Sequence, residues 1–134
     1  MTLVLDASVA VAAARVREPS HVAARARVSK ILRRGEAILV PTLFSVEVAA
    51  ALARVGEPLP AVRAYVDALL AVAERVVPLG PRSAAQARET AMRWQLRAAD
   101  AVYVWLAASR AVPLCTLDRE MAHRAAGACA VMAP

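Results

Sequence analysis

Thr2-Leu3-Val4-Leu5-Asp6-Ala7-Ser8-Val9-Ala10-Val11-Ala12 opens the chain with four residues of strand character, one carboxylate, and then a run of helical composition. A strand covered on both faces shows no polar alternation, so Thr2 to Leu5 reads as a short buried strand. Asp6 interrupts the apolar run where such a strand would end. A carboxylate is thereby placed at a strand's C-terminal end, directly before a helix.

The same order recurs downstream. Glu18-Pro19-Ser20 signals a helix running to about Arg34, because proline suits a first helical turn and Gly35 an exit. Ala37 to Val40 reads as a second strand. Pro41-Thr42 opens a helix whose apolar Leu43, Val46, Ala50 and Ala53 recur at helical spacing up to Gly56, with Glu47 in its second turn. Pro58 and Pro60 restart the chain into a helix from about Ala61 to Glu74, and Val76 to Gly80 is extended before the Gly80-Pro81 turn. Arg82 to Arg110 is too long for one average helix, and a break near Leu96 to Ala99 puts Asp100 early in the second piece. Val112 to Thr116 reads as a strand, Asp118 to Ala125 as a short helix and Cys129 to Met132 as a last strand. Strands alternating with helices predict an α/β fold: a central parallel sheet of four to five strands, covered by helices on both faces.

A chain of 134 residues suits one domain spanning residues 1–134, and it contains no repeat, low-complexity tract or linker. Mean hydropathy is high at +0.48, yet no stretch of about 18 residues runs free of charge, so no membrane span is expected. The N-terminus lacks a leading basic segment and Asp6 interrupts its apolar run, which predicts a cytoplasmic protein without a signal peptide. Cys115 and Cys129 sit among apolar residues without CxxC spacing or neighbouring histidines, and read as buried reduced thiols. The formal net charge is +6, carried by arginine with Lys30 as the lone lysine. That excess favours a polyanionic partner such as RNA, although arginine and alanine enrichment throughout also fits a coding bias.

Of the eleven acidic residues, Glu18, Glu36, Glu57, Asp67, Glu74, Glu89 and Glu120 suit polar turns or solvent-facing helix positions. Asp6, Glu47, Asp100 and Asp118 stand instead in apolar company: LVLDASVAV, LFSVEVAAAL, RAADAVYVWLA and LCTLDREM. Taken singly, Asp6 or Asp118 could simply cap the helix that follows. In open parallel sheets, however, sites form beyond the C-terminal ends of the strands, and Asp6 and Asp118 both fall there. Carboxylates gathered about 5 Å apart would repel by roughly 3 kcal/mol per pair at an effective dielectric of 20. A full set rivals the roughly 5–15 kcal/mol net stability of a domain, so such a cluster protonates in part or binds cations. Oxygen-only ligation selects hard ions, Mg²⁺ or Mn²⁺, and points to phosphodiester hydrolysis. Arg93 and Arg97 precede Asp100 and are candidate RNA phosphate contacts, with a plain solvent-facing helix as the alternative. Trp94, Tyr103 and Phe44 could stack on bases or simply fill the core, while His21 and His123 read as solvated helix residues.

The ordered series strand–Asp6-Ala-Ser, Val-Glu47-Val-Ala, Ala-Asp100-Ala-Val-Tyr and Leu-Cys-Thr116-Leu-Asp118 resembles PIN-domain nucleases over nearly the whole chain. More narrowly, its length resembles the VapC-type toxins of type II toxin–antitoxin pairs. The resemblance implies a PIN-like fold and a Mg²⁺- or Mn²⁺-dependent ribonuclease, silenced by a cognate antitoxin. It implies that Asp6, Glu47, Asp100 and Asp118 hold the catalytic metal, with Ser8 and Thr116 as supporting hydroxyls. The reaction would be hydrolysis by metal-activated water, with no side-chain nucleophile. The alanine-rich helices from about Val9 to Leu32 and from Val46 to Leu70 carry more apolar surface than one small core needs, which suggests a homodimer or an antitoxin groove. Trp105, where a smaller residue is usual, and the single lysine depart from the family pattern without touching the acidic quartet. Ser8 stands where a haloacid dehalogenase phosphatase needs a second aspartate. Ala7 and the misplaced Lys30 argue against a receiver domain. The remaining alternative is a PIN-like module that binds RNA or protein without cleaving, and the intact quartet argues against it.

Overall fold

Leu3, Val4 and Leu5 are all fully buried. Successive strand residues point to opposite faces, so this strand is covered on both sides. It is β1 (Thr2–Leu5), the middle strand of a five-stranded sheet in a computed structural model that describes residues 1–134. The chain then runs α1 (Ala7–Ala14), α2 (His21–Leu32), β2 (Ala37–Pro41), α3 (Leu43–Arg54), α4 (Leu59–Val72) and β3 (Arg75–Val77). It continues as α5 (Pro81–Trp94), α6 (Ala98–Arg110), β4 (Leu114–Cys115), α7 (Arg119–Ala125) and β5 (Val131–Met132). The order across the sheet is β3-β2-β1-β4-β5, and every pairing is parallel. Thr2 lies opposite Ala37 and Leu5 opposite Cys115.

From β1 the chain builds outward through β2 and β3, then crosses back to add β4 and β5 on the other side. The reversal lies between β1 and β4, and the crevice beyond their carboxyl ends is where an open parallel sheet forms its site. Helices α1, α2, α3 and α4 pack on one another, and α6 lies against β1, β2 and β4 with α5 packed on it. The core joins Leu3, Leu5, Ile31, Ile38, Phe44, Leu69, Tyr103, Leu106 and Leu114, all nearly or fully excluded from solvent.

The expected elements form, with differences at their ends. Pro19 lies ahead of the Ser20 N-cap rather than in the first turn of α2. The α5–α6 break falls at Gln95 to Arg97, where Gln95 takes a left-handed conformation (φ 52°) and closes α5 without a glycine. β4 is two residues long rather than the five expected from Val112 to Thr116. Just past β4, the Thr116 N–H still bonds the Met132 carbonyl while its side chain turns toward Asp6.

Three assignments need correction. Glu36 is buried rather than solvent-facing, because Arg27 and Lys30 of α2 close over it. His21 is half-buried, with Nδ1 at 2.9 Å from the Ala12 carbonyl oxygen, and ties α2 to α1 rather than standing free in solvent. Cys115 is buried but Cys129 is only half-buried; both thiols are free. Phe44 and Tyr103 fill the core, leaving Trp94 as the half-buried member of the three aromatics considered for base stacking.

Candidate active site

Asp6 follows β1 and Asp118 lies just past β4, so parallel pairing of those strands brings two distant sequence positions to one edge. Glu47 comes in on α3 and Asp100 on the first turn of α6. All four line one cleft of about 350 Å³, together with Ser8 and Arg97. A larger cavity lies elsewhere, an apolar groove of about 650 Å³ between α3 and α4, and it contains none of the quartet.

Asp6 is the most enclosed of the four, 5% exposed. Its Oδ2 accepts the Ser8 hydroxyl at 2.5 Å and the Thr116 hydroxyl at 2.8 Å. Those hydroxyls are held in turn by backbone amides: Leu117 N–H donates to Ser8 Oγ at 3.1 Å and Asp118 N–H to Thr116 Oγ1 at 3.0 Å. Each hydroxyl therefore accepts one hydrogen bond from the β4–α7 connection and donates one to Asp6. Ser8 and Thr116 lock the two strand ends together and fix the carboxylate, beyond closing a local turn.

Glu47 Oε2 accepts the Tyr103 hydroxyl at 2.5 Å, a bond between α3 and α6 that no sequence feature announced. Asp118 is the N-cap of α7, with Oδ1 accepting the Met121 N–H at 2.9 Å. The simple capping account is thus true of one of its oxygens. Asp6 stands at the N-cap position of α1 without making the side-chain cap. Arg97, ahead of α6, reaches two carboxylates: Nε donates to Asp100 Oδ2 at 3.0 Å and Nη2 to Asp118 Oδ2 at 2.8 Å. Arg93 does not line the cleft; its guanidinium lies 5.2 Å from the Trp94 ring centroid, in cation–π range.

Burial pushes Asp6 above the usual carboxylate range, more than its hydroxyl partners pull it down, and the Asp100 charge adds to the rise. Glu47 is raised by burial and by the charges of Asp6 and Asp100, against the Tyr103 bond. Asp100 is raised by burial, partly offset by Arg97, with Asp118 and Glu120 pushing the same way as burial. Three carboxylates are thus held where ionisation is unfavourable, the situation a bound cation relieves. As the side chains stand, no three Asp, Glu, His or Cys residues close round a common point tightly enough to hold a metal ion. The donor set fits a hard cation in chemistry and charge, while Arg97 lies across two of its members. No cysteine or histidine lines the cleft, and burial pushes the Cys115 thiol up to about 11.

A trough of about 540 Å³ shares Ser8 and Glu47 with the cleft and extends along α3 to Arg54. Glu18 at its wall is engaged by Arg15 at 2.6 Å, while no ion pair holds the exposed Arg54. Sequence reading passed over Arg54, although its spacing from Glu47 puts both on one face of α3.

The fold has solved relatives. PAE2754 from Pyrobaculum aerophilum matches with a TM-score of 0.71 at 24% identity over 98% of this chain and 83% of its own. The Mycobacterium tuberculosis VapC20, a Sarcin-Ricin loop cleaving toxin, matches with a TM-score of 0.73 at 18% identity over 90% of this chain and 93% of its own. VapBC2 from Rickettsia felis, bound to a DNA fragment from its promoter, matches with a TM-score of 0.72 at 12% identity over 100% of this chain and 99% of its own. No curated protein matches the sequence. Identities this low show the shared fold alone. The PIN domain family model matches residues 3–127, from β1 into the end of α7 and the turn beyond it, a span that includes the whole carboxylate cleft: the chain belongs to the PIN domain family.

Proposed function

We propose that the chain is a Mg²⁺- or Mn²⁺-dependent endoribonuclease, the toxin of a toxin–antitoxin pair, acting as one domain. The observation that carries this reading is the charge imbalance of the cleft. Burial, with lesser help from neighbouring carboxylates, raises the pKa values of Asp6, Glu47 and Asp100, and the one cation at hand is an exposed arginine. Family membership and the likeness to VapC20, a Sarcin-Ricin loop cleaving toxin, support the same reading.

Asp6, Glu47, Asp100 and Asp118 would hold the cation. The chemistry a divalent ion supplies when bound is activation of water and neutralisation of charge on a phosphate. The chain's own groups do the rest. Ser8 and Thr116 keep the bonded oxygen of Asp6 turned toward β4, which leaves Oδ1 outside those bonds. Tyr103 orients Glu47 from within the core. The trough leading to Arg54 would take the strand on one side of the scissile bond, its phosphate against the guanidinium and its sugar and base against the alanines of α1 and α3.

The apolar α3–α4 groove, with Val46 67% and Leu59 57% exposed, fits the apolar face of an antitoxin helix or a second copy of the chain. A monomer in sedimentation at micromolar concentration would sink the homodimer and leave the antitoxin as the groove's occupant. No helix is long and apolar enough to cross a membrane, in keeping with a cytoplasmic enzyme.

Titration of Mn²⁺ and Mg²⁺ into wild type and Asp6→Asn, with cleavage of a mixed single-stranded RNA pool followed in the same samples, tests the reading. Binding and cleavage that both fade in Asp6→Asn are expected. A wild type that binds metal but leaves RNA intact would favour a non-cleaving RNA- or protein-binding module instead.

A further inference from the structure

Asp118 has both oxygens engaged within the protein. Oδ1 accepts the Met121 N–H, and Oδ2 accepts a guanidinium N–H of Arg97. Asp100 gives Oδ2 to the same guanidinium. One planar, permanently charged group therefore spans two carboxylates that α6 and the N-terminus of α7 bring to the cleft from different parts of the chain. Asp6 and Glu47 receive neutral donors only, the Ser8, Thr116 and Tyr103 hydroxyls and the Ser8 backbone amide. The cleft divides into a pair neutralised by a cation and a pair without one.

Arg97 is poorly anchored for a structural ion pair. Its side chain is 67% exposed, while Asp100 and Asp118 are 14% and 26% exposed. It stands at the N-cap position of α6 with extended backbone, outside the helix that carries Asp100. An exposed guanidinium on a flexible stem holds its partners weakly and is replaced at little cost. A compact divalent ion brings more charge to the same oxygens. Both bonds come from one edge of the guanidinium, Nε and Nη2, so Arg97 lies where an ion shared by Asp100 Oδ2 and Asp118 Oδ2 would have to sit.

We propose that Arg97 is a displaceable counter-ion: it neutralises the Asp100–Asp118 pair and competes with a divalent cation for those oxygens. Entry of the ion turns the guanidinium out of the pair. The inference rests on the cation-site reading above but not on RNA cleavage. It differs from a plain phosphate contact, which would leave affinity for the ion alone unchanged.

The test is Mn²⁺ binding without RNA, measured by calorimetry on wild type, Arg97→Ala, Arg97→Lys and the control Arg93→Ala. Two exposed charge-assisted bonds predict that Arg97→Ala binds Mn²⁺ about fivefold more tightly than wild type. Arg97→Lys, which keeps the charge but reaches one carboxylate at a time, falls between them, and Arg93→Ala matches wild type. Folded Arg97→Ala that binds Mn²⁺ as wild type does, or more weakly, overturns the inference and makes Arg97 a holder of the carboxylates. Should Arg97→Ala fail to fold, Arg97→Lys decides: tighter binding sustains the competition, equal or weaker binding ends it. If neither wild type nor variants bind Mn²⁺, the inference falls together with the cation site. Tighter binding by Arg97→Ala without any RNA cleavage keeps the inference and removes the nuclease reading alone.

Discussion

Glu36 and Asp6 are both carboxylates almost closed to solvent, 4% and 5% exposed, yet they stand at opposite ends of the parallel sheet in opposite electrical surroundings. Glu36 precedes β2, and its Oε1 accepts Arg27 Nη1 at 2.5 Å and Lys30 Nζ at 3.1 Å. Burial pushes its pKa up, but the two cations outweigh it and leave the carboxyl below its usual value. Asp6 follows β1 and has two hydroxyls and no cation, so burial wins and its pKa rises. A buried carboxylate is therefore no sign of function by itself. One that the fold leaves without a counter-charge, beside others like it at a strand-order reversal, is.

The largest expected contrast is in activity. Asp6→Asn and Asp100→Ala should each lower RNA cleavage by about 10³-fold or more, as loss of a ligand does in metal-assisted hydrolysis, with circular dichroism unchanged. Glu36→Gln should leave cleavage within about twofold, because it sits at the far edge, and its effect should appear in stability instead. Removing one partner of a fully buried pair costs about 3–5 kcal/mol; with Lys30 half-exposed, urea unfolding should show a loss nearer about 2 kcal/mol.

Proton linkage sharpens the same comparison. The Glu36 pKa is lowered by folding, so its contribution to stability is present above its unfolded value, 4.5, and is lost as pH falls through the folded value. The pKa values of Asp6, Glu47 and Asp100 are raised by folding. Their contribution is present below the unfolded values of 3.8 and 4.5 and is lost as pH rises through the folded values. Unfolding free energies across an acid series should therefore lose part of the downward trend in Asp6→Asn and part of the acid-side rise in Glu36→Gln. Parallel curves for the two variants would break the distinction.

A smaller effect belongs to Tyr103. Tyr103→Phe removes the donor to Glu47 Oε2, and a cut of about tenfold in cleavage with about 1 kcal/mol of stability lost is expected. Arg54→Ala should be the mildest, raising KM a few-fold with kcat unchanged and reducing the salt dependence of RNA binding by about one counterion. A fall in kcat with constant KM would place Arg54 nearer the chemistry than the trough allows.

Asp6 and Asp118 could be picked out of the sequence because an apolar strand that ends in a carboxylate is a local pattern, and parallel pairing does the gathering. Glu47 and Asp100 were legible as charges that apolar helices would otherwise avoid. Glu36 was misread because its turn, Arg34-Gly35-Glu36, is polar, and the residues that bury it come from α2 side chains folding back over it. Tyr103 looked like core and is core, but its hydroxyl reaches Glu47 only because α6 crosses near α3. The Arg97–Asp100 spacing of three residues was in plain view, and the reach to Asp118 was not, since it depends on where α7 begins. β4 came out shorter than its apolar run at its start because the Val112 N–H closes the end of α6 on the Ala107 carbonyl, and Pro113 has no N–H to give.

Thermal unfolding with and without Mn²⁺, on wild type, Asp6→Asn and Glu36→Gln side by side, tests the central claim most directly. An ion that binds the folded chain alone, at 100 times its dissociation constant, adds about 2.7 kcal/mol. The account predicts a raised midpoint for wild type and for Glu36→Gln, from its lower starting point, and almost none for Asp6→Asn. An equal shift in Asp6→Asn, or no shift in wild type, would contradict it.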